Sequence, residues 1–302
     1  MVAAQSMRRA KYRGLFVGLV TLDLIYLAEA VPRSDQKIVA ADYTVAAGGP
    51  ATNAAVTFSY LGNQAELLTV VGSHPLQNLI SADLERYKVT VRDLDPTQLQ
   101  PPPVSSIIVT QATGERAVIS INAVKTQIRS DRFPNNTIRG VDIVLIDGHQ
   151  MAIGERIAQQ AQENHIPVVI DGGSWKPGFE KVLPFVDYAI CSANFYPPGC
   201  NTTAEVFAYL TEVGISYIAI THGENPIQYQ INNQIETLAV PHVCVVDTLG
   251  AGDIFHGAFC YYILQASFPE ALSAAARVAA RSCEYFGTRR WMNATLDSFE
   301  NS

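Results

Sequence analysis

The sequence predicts an α/β protein with a doubly wound, mainly parallel sheet flanked by helices, plus a small β-sheet lid. Apolar, β-rich runs alternate with helical patterns along the 302 residues, and several runs are too continuously apolar for a strand with one wet face. Two stretches of strand-like composition break that alternation and read as a separate sheet.

In chain order, residues 14–22 read as the first buried strand. Arg8, Arg9, Lys11 and Arg13 precede it and Ala28-Glu29-Ala30 follows, a disposition that mimics a secretory signal. Asp23 argues against that, because a charge in such a stretch is costly in a bilayer and the run is too short to cross one. Residues 37–47 look like a strand with no helix after it, and Gly48-Gly49 marks a crossing point of the chain. A helix over 51–60 is stopped by Gly62, then come a strand at 67–71 and a helix at 75–87. After Pro101-Pro102-Pro103, residues 104–110 pair with 117–121 across Thr113-Gly114-Glu115 as a hairpin. Strands at 141–146, 168–170, 188–191 and 217–220 alternate with helices at 154–164 and 203–213. A hairpin of 227–231 and 235–238 about Asn232-Asn233 lies at the edge of the main sheet, and helices at 253–265 and 269–286 finish the chain. The expected organisation is one domain, 1–302, with a lid of about 31–47 and 101–122 hinged on glycines.

With 21 Lys+Arg against 28 Asp+Glu, a net charge of -7 and a pI near 5.4, the chain has no broad cationic field for nucleic acid or anionic lipid. Cys191, Cys200, Cys244, Cys260 and Cys283 form no Cys-x-x-Cys pair, so they read as reduced core thiols in a cytoplasmic protein. No spacing of His, Cys or carboxylates suggests zinc.

The most informative segment is Asp247-Thr248-Leu249-Gly250-Ala251-Gly252-Asp253, which runs directly into a helix. Small residues there leave the first N–H groups bare, and with the helix dipole they make a site for a phosphate or a developing anion. Asp253 stands beside that anion, where a carboxylate can take the proton of an attacking hydroxyl while the N–H groups stabilise the transferring phosphoryl group.

Four further segments end strands or start helices on the same side. Gly48-Gly49-Pro50-Ala51-Thr52-Asn53 combines two glycines that permit close approach of a ligand with an amide offering both donor and acceptor. Asp23, read as the carboxyl end of the first strand, sits where open α/β sheets bind ligands. Thr221-His222-Gly223-Glu224 and Asp147-Gly148-His149 follow apolar strands; alone, each is an ordinary strand exit. Neither the Gly-x-Gly-x-x-Gly of a dinucleotide fold nor the Gly-x-x-x-x-Gly-Lys of a P-loop is present.

Asp-Thr-x-Gly-Ala-Gly-Asp resembles the C-terminal signature of the ribokinase-like (PfkB) carbohydrate kinases, and Gly48 to Asn53 is similar to their N-terminal one. The resemblance covers nearly the whole chain. It implies ATP-dependent phosphorylation of a primary hydroxyl of a small sugar, with Asp253 as base and Gly250, Ala251 and Gly252 forming an anion hole. Asp23, Gly48, Gly49, Asn53 and Asp147 would then contact the sugar. Asn194, Thr221, Gly223, Asp247, Gly250 and Gly252 would serve the nucleotide, and adenine would lie near residues 276–287. Gly114-Glu115-Arg116 is similar to a Gly-x-Arg turn whose arginine reaches substrate. ATP and Mg2+ are the implied cofactors, with room for K+, and a homodimer through the lid is the implied assembly. Asn194-Phe195-Tyr196-Pro197 departs from the family's Asn-x-x-Glu, since proline stands where the glutamate would organise magnesium. That departure points towards the ketohexokinase and sulfofructose kinase branch. A nucleoside kinase, or a non-catalytic sugar or nucleotide sensor, are the competing expectations.

Overall fold

A computed structural model of the chain describes residues 11–121, 128 and 137–293. Arg8, Arg9 and position 122 of the expected lid lie outside those residues. In chain order the elements are β1 (Arg13–Val17), β2 (Thr21–Ala28), β3 (Asp42–Gly48), α1 (Pro50–Tyr60), β4 (Gln64–Thr69), α2 (Gln77–Arg86), β5 (Val89–Asp93), β6 (Val104–Thr110) and β7 (Arg116–Ser120). There follow β8 (Ile143–Ile146), α3 (Met151–Glu163), β9 (Val168–Gly172), α4 (Phe179–Val182), β10 (Tyr188–Ser192) and α5 (Thr203–Val213). Last come β11 (Tyr217–His222), β12 (Asn225–Ile231), β13 (Gln234–Leu238), α6 (Ala251–Tyr262) and α7 (Phe268–Cys283).

The main sheet has the order β13-β12-β11-β10-β9-β8-β1-β4-β5. It is parallel from β11 to β5, and the β12–β13 hairpin closes one edge antiparallel. Its strands are apolar without alternation because both faces are covered. Phe16, Leu67, Leu145 and Val169 point to one core with Ala54 of α1, Phe259 of α6 and Ala275 of α7. Leu15, Val17, Leu68, Val144 and Ile170 point to the other, against Ile157 of α3 and Phe207 of α5. From β1 the chain winds out to β4 and β5, then returns to β8 on the other side. The crevice between β1 and β8 is therefore the switch point at which open sheets receive ligands.

A second sheet of four strands, β3-β2-β6-β7, stands apart from the first. One face, with Ile25, Ile107 and Val109, packs on Phe286. The cross-strand register puts Tyr26 beside Tyr43 and Leu24 beside Val45 on the opposite face, where Tyr43 is 68% and Ile119 78% exposed.

Several expectations need correction. The run 14–22 is two strands: β1 ends at Val17, and Thr21 begins β2 in the small sheet. Asp23 is thus the third residue of a small-sheet strand and does not end a core strand. Gly18 follows β1, and the Asp147 carboxyl group occupies the space a side chain there would need, 2.0 Å from its ideal Cβ. The small sheet accordingly gains β2, whereas residues 31–41 hold no strand. β5 joins the far edge of the main sheet, where its half-exposed residues left little apolar signal. Of the five thiols, all free, Cys191, Cys260 and Cys283 are buried, while Cys200 is half-buried and Cys244 exposed. Among the described residues, no helix is long and apolar enough to cross a membrane.

Candidate active site

Helix starts are of two kinds, capped by a side chain at α5 and α7 and uncapped at α1, α2, α3, α4 and α6. Of the uncapped helices longer than one turn among the described residues, only α6 carries an acidic residue, Asp253, in a first turn entered through Gly250 with positive φ. α5 and α7 open with capping boxes, Thr202 with Glu205 and Ser267 with Glu270, which satisfy leading N–H groups. α6 begins at Gly250, with φ 71° and no side-chain cap, so its first turn keeps donors for a ligand. At Gly250 an added Cβ would be strained and would meet the Thr288 methyl at 2.9 Å.

α1 and α6 approach closely because Gly257 has no side chain: a Cβ there would lie 2.3 Å from the Ala54 carbonyl oxygen. That approach joins residues 200 positions apart, and the Asn53 amide donates from Nδ2 to Asp253 Oδ2 at 2.8 Å. Asp253 is half-buried. Burial of its carboxylate, then the charge of Asp171, raises its pKa to about 7, against the lowering effects of the Asn53 hydrogen bond and His256. Such a group is about half ionised at neutral pH and is basic enough to accept a proton.

Behind Asp253, the His256 ring places Nδ1 2.7 Å from the Gly252 carbonyl oxygen and Nε2 3.1 Å from that of Ile190. Asp171 Oδ2, at the end of β9, is 3.4 Å from Nδ1 and has no hydrogen-bond partner. Arg289 approaches from the turn after α7 and donates from Nη1 to Asn53 Oδ1 at 2.8 Å. Sequence reasoning missed all three. Asp171 was within its reach, as a carboxylate ending a buried parallel strand; Arg289 looks locally like one of two solvated arginines.

Two expected ligand residues have internal work instead. Asp147 is 1% exposed; it accepts the Leu19 and Ala51 N–H groups on Oδ2, and the His149 N–H and Nδ1 on Oδ1. Burial alone would raise its pKa, but the charge and hydrogen bond of His149, with those N–H groups, hold it below the ordinary value. It ties β1, β8 and the start of α1 together. Asp247, 3% exposed, accepts the Leu249 and Gly287 N–H groups at 2.8 Å each and so shapes the loop into α6. Asp23 accepts the Thr21 hydroxyl at 2.7 Å, and burial raises its pKa. Gly48 leaves room for it, since a Cβ there would lie 1.8 Å from the carboxylate. Gly49, with φ 100°, turns the chain from β3 into α1.

A cavity of about 540 Å³ opens beside the start of α6. Asn194, Thr221, Gly223, Ala251 and Gly252 line it, and so does Arg116, expected on the sugar side. Arg116 donates to the Thr248 hydroxyl at 2.8 Å. The far end is apolar, with Val240, Val243, Ala276, Ala279 and Cys283. Where Asn-x-x-Glu would place its glutamate, Pro197 is buried, and Phe195 before it packs against Phe179 and Trp175 with ring centroids 5.4 and 5.5 Å away. Among the described residues, no group of three or more His, Cys, Asp or Glu side chains could hold a metal ion.

The family model described as pfkB family carbohydrate kinase matches residues 14–295. The chain belongs to that family. This kinase is 24% identical over 288 residues to the ribokinase of Bacillus subtilis (strain 168), covering 91% of this chain and 94% of that one. It is 22% identical to the ketohexokinase of Mus musculus, over 89% of this chain and 95% of that one, so ribokinases and a ketohexokinase stand at similar distance. The structure of Arabidopsis thaliana ribokinase complexed with ribose and ATP superposes on the kinase with a TM-score of 0.77 at 21% identity, covering 97% of this chain and 100% of that one. That likeness establishes the two-sheet fold.

Proposed function

We propose that the chain transfers the γ-phosphoryl group of ATP to a primary hydroxyl of a small, uncharged sugar or sugar derivative, with Asp253 as general base. One observation carries this: a carboxylate with a pKa raised to about 7 stands in the uncapped first turn of α6, beside a cavity large enough for a nucleotide. The sugar lies between Asp23, Asn53 and Asp253, whose acceptors and amide suit hydroxyl groups. Gly48 and Gly49 let the backbone come close, and Asp147 acts from behind by fixing the start of α1. Asp253 takes the hydroxyl proton as the oxygen attacks phosphorus, and the N–H groups at Gly250, Ala251, Gly252 and Asp253 hold the equatorial oxygens. Arg116, Asn194, Thr221 and Gly223 face the phosphates, Asp247 shapes the loop that carries them, and the apolar end takes adenine.

A magnesium ion fits this site as a partner of the nucleotide phosphates, since Mg2+ keeps several waters and takes few protein carboxylates; Glu224, on the cavity wall, is the carboxylate available to that water shell. Bound there, the metal neutralises phosphate charge. The small sheet acts as the lid that excludes water, and two copies pair through its apolar outer face.

The test is turnover of Mg-ATP with a panel of hexoses, pentoses and nucleosides, beside Asp253→Asn. Turnover with a sugar, reduced by at least about a thousandfold in the variant while ATP binding persists, is the expected result. Preference for a nucleoside would overturn the substrate, and saturable binding without any turnover would overturn the kinase reading.

A further inference from the structure

Arg289 is 7% exposed and its guanidinium is fully engaged. Nη1 donates to Asn53 Oδ1 at 2.8 Å and to the Thr288 hydroxyl at 3.1 Å. Nη2 donates to the Ala47 carbonyl at 2.6 Å and to Asp83 at 3.2 Å, while Nε reaches Asp83 at 3.3 Å. Asp83 also accepts the Ala47 N–H at 3.0 Å, so this ion pair holds both backbone groups of the residue that leads from β3 into Gly48-Gly49. The Tyr87 ring lies against the guanidinium, 5.4 Å from ring centroid to Cζ.

An amide can turn over and exchange its donor for its acceptor. With Arg289 occupying Oδ1, Asn53 must offer Nδ2 to Asp253; turned over, it would aim an oxygen at a carboxylate. Resting on the reading of Asp253 as the base, we propose that Arg289 is a positioning residue that sets Asp253 through the Asn53 amide and, through Ala47, ties that setting to the strand leaving the small sheet. Lysine cannot replace it, because one ammonium group does not span a fork of acceptors.

Asp253 faces Asp171 from β9, Asp147 from the turn after β8 and His256 from its own helix; all remain in an Arg289 variant, so the Asn53 donor is what changes. Its loss raises the Asp253 pKa. In Arg289→Lys, kcat at pH 7 should fall roughly fivefold and the acid limb should move up by about one pH unit, with both KM values within about twofold. Asp83→Asn, which weakens the ion pair but keeps the Asn53 contact, should lower Tm and leave the limb in place. An unmoved limb in Arg289→Lys, or an equal shift in Asp83→Asn, would overturn the proposal. The side-chain amide resonances of Asn53 give a readout free of turnover: in the native protein they should follow the Asp253 titration near pH 7, and in Arg289→Lys they should not. The same titration in both proteins would sink the positioning role even if the chain proved not to be a kinase.

Discussion

Asp253 has a raised pKa, so the folded protein binds its proton more tightly than the unfolded chain does. Stability from this group is present at low pH and is lost as pH rises towards about 7. Asp253→Asn removes that charge, and its Tm should rise by a few degrees at pH 8 but hardly at pH 3, below the unfolded value, in calorimetry. Asp147 has the opposite sign. Its lowered pKa contributes stability above the unfolded value, which is lost on acidification through the folded one. Asp147→Asn leaves backbone donors at Leu19 and Ala51 poorly matched, and denaturant unfolding should show a loss of about 3 kcal/mol. Asp253 and Asn53 were legible because each sits in a dense local pattern of small residues. His256 and Arg289 were not, because their carbonyl and amide partners lie 66 and 236 residues away and nothing local marks them.

Among the elements, those with both ends chemically marked were legible to the residue. The helix expected at 203–213 is α5, from Thr203 to Val213, because Thr202 and Glu205 cap its start and Gly214, with φ 105°, ends it. The β1–β2 break was hidden, since both strands are apolar and so are Leu19 and Val20 between them. At α6, two neighbouring glycines should respond differently. A Cβ on Gly252 meets nothing within 4 Å and alanine favours a helix, so Gly252→Ala should keep or raise Tm while it raises KM for ATP several-fold. Gly250→Ala, strained at φ 71° and pressed on Thr288, should lower Tm by several degrees.

For the whole molecule, the alternation of runs was enough to give a doubly wound sheet, but not which strands leave it. The small sheet exposes Tyr26, Tyr43, Val45 and Ile119 on one face, an apolar patch that pairing of two copies would cover. Sedimentation velocity should give a dimer for the native chain and a monomer for Ile119→Lys with unchanged circular dichroism; a native monomer would rule out that assembly.

The Asn53 amide, near the start of the described chain, is oriented by two residues from its far end, Asp253 on one side and Arg289 on the other. A nascent chain leaves the ribosome from its amino end, so Asn53 emerges long before either partner. Most of both cores can pack during synthesis, yet the catalytic arrangement is completed only when the turn after α7 has been released. A polypeptide halted before that turn would hold a nearly whole sheet but an Asn53 amide with no Arg289 to orient it.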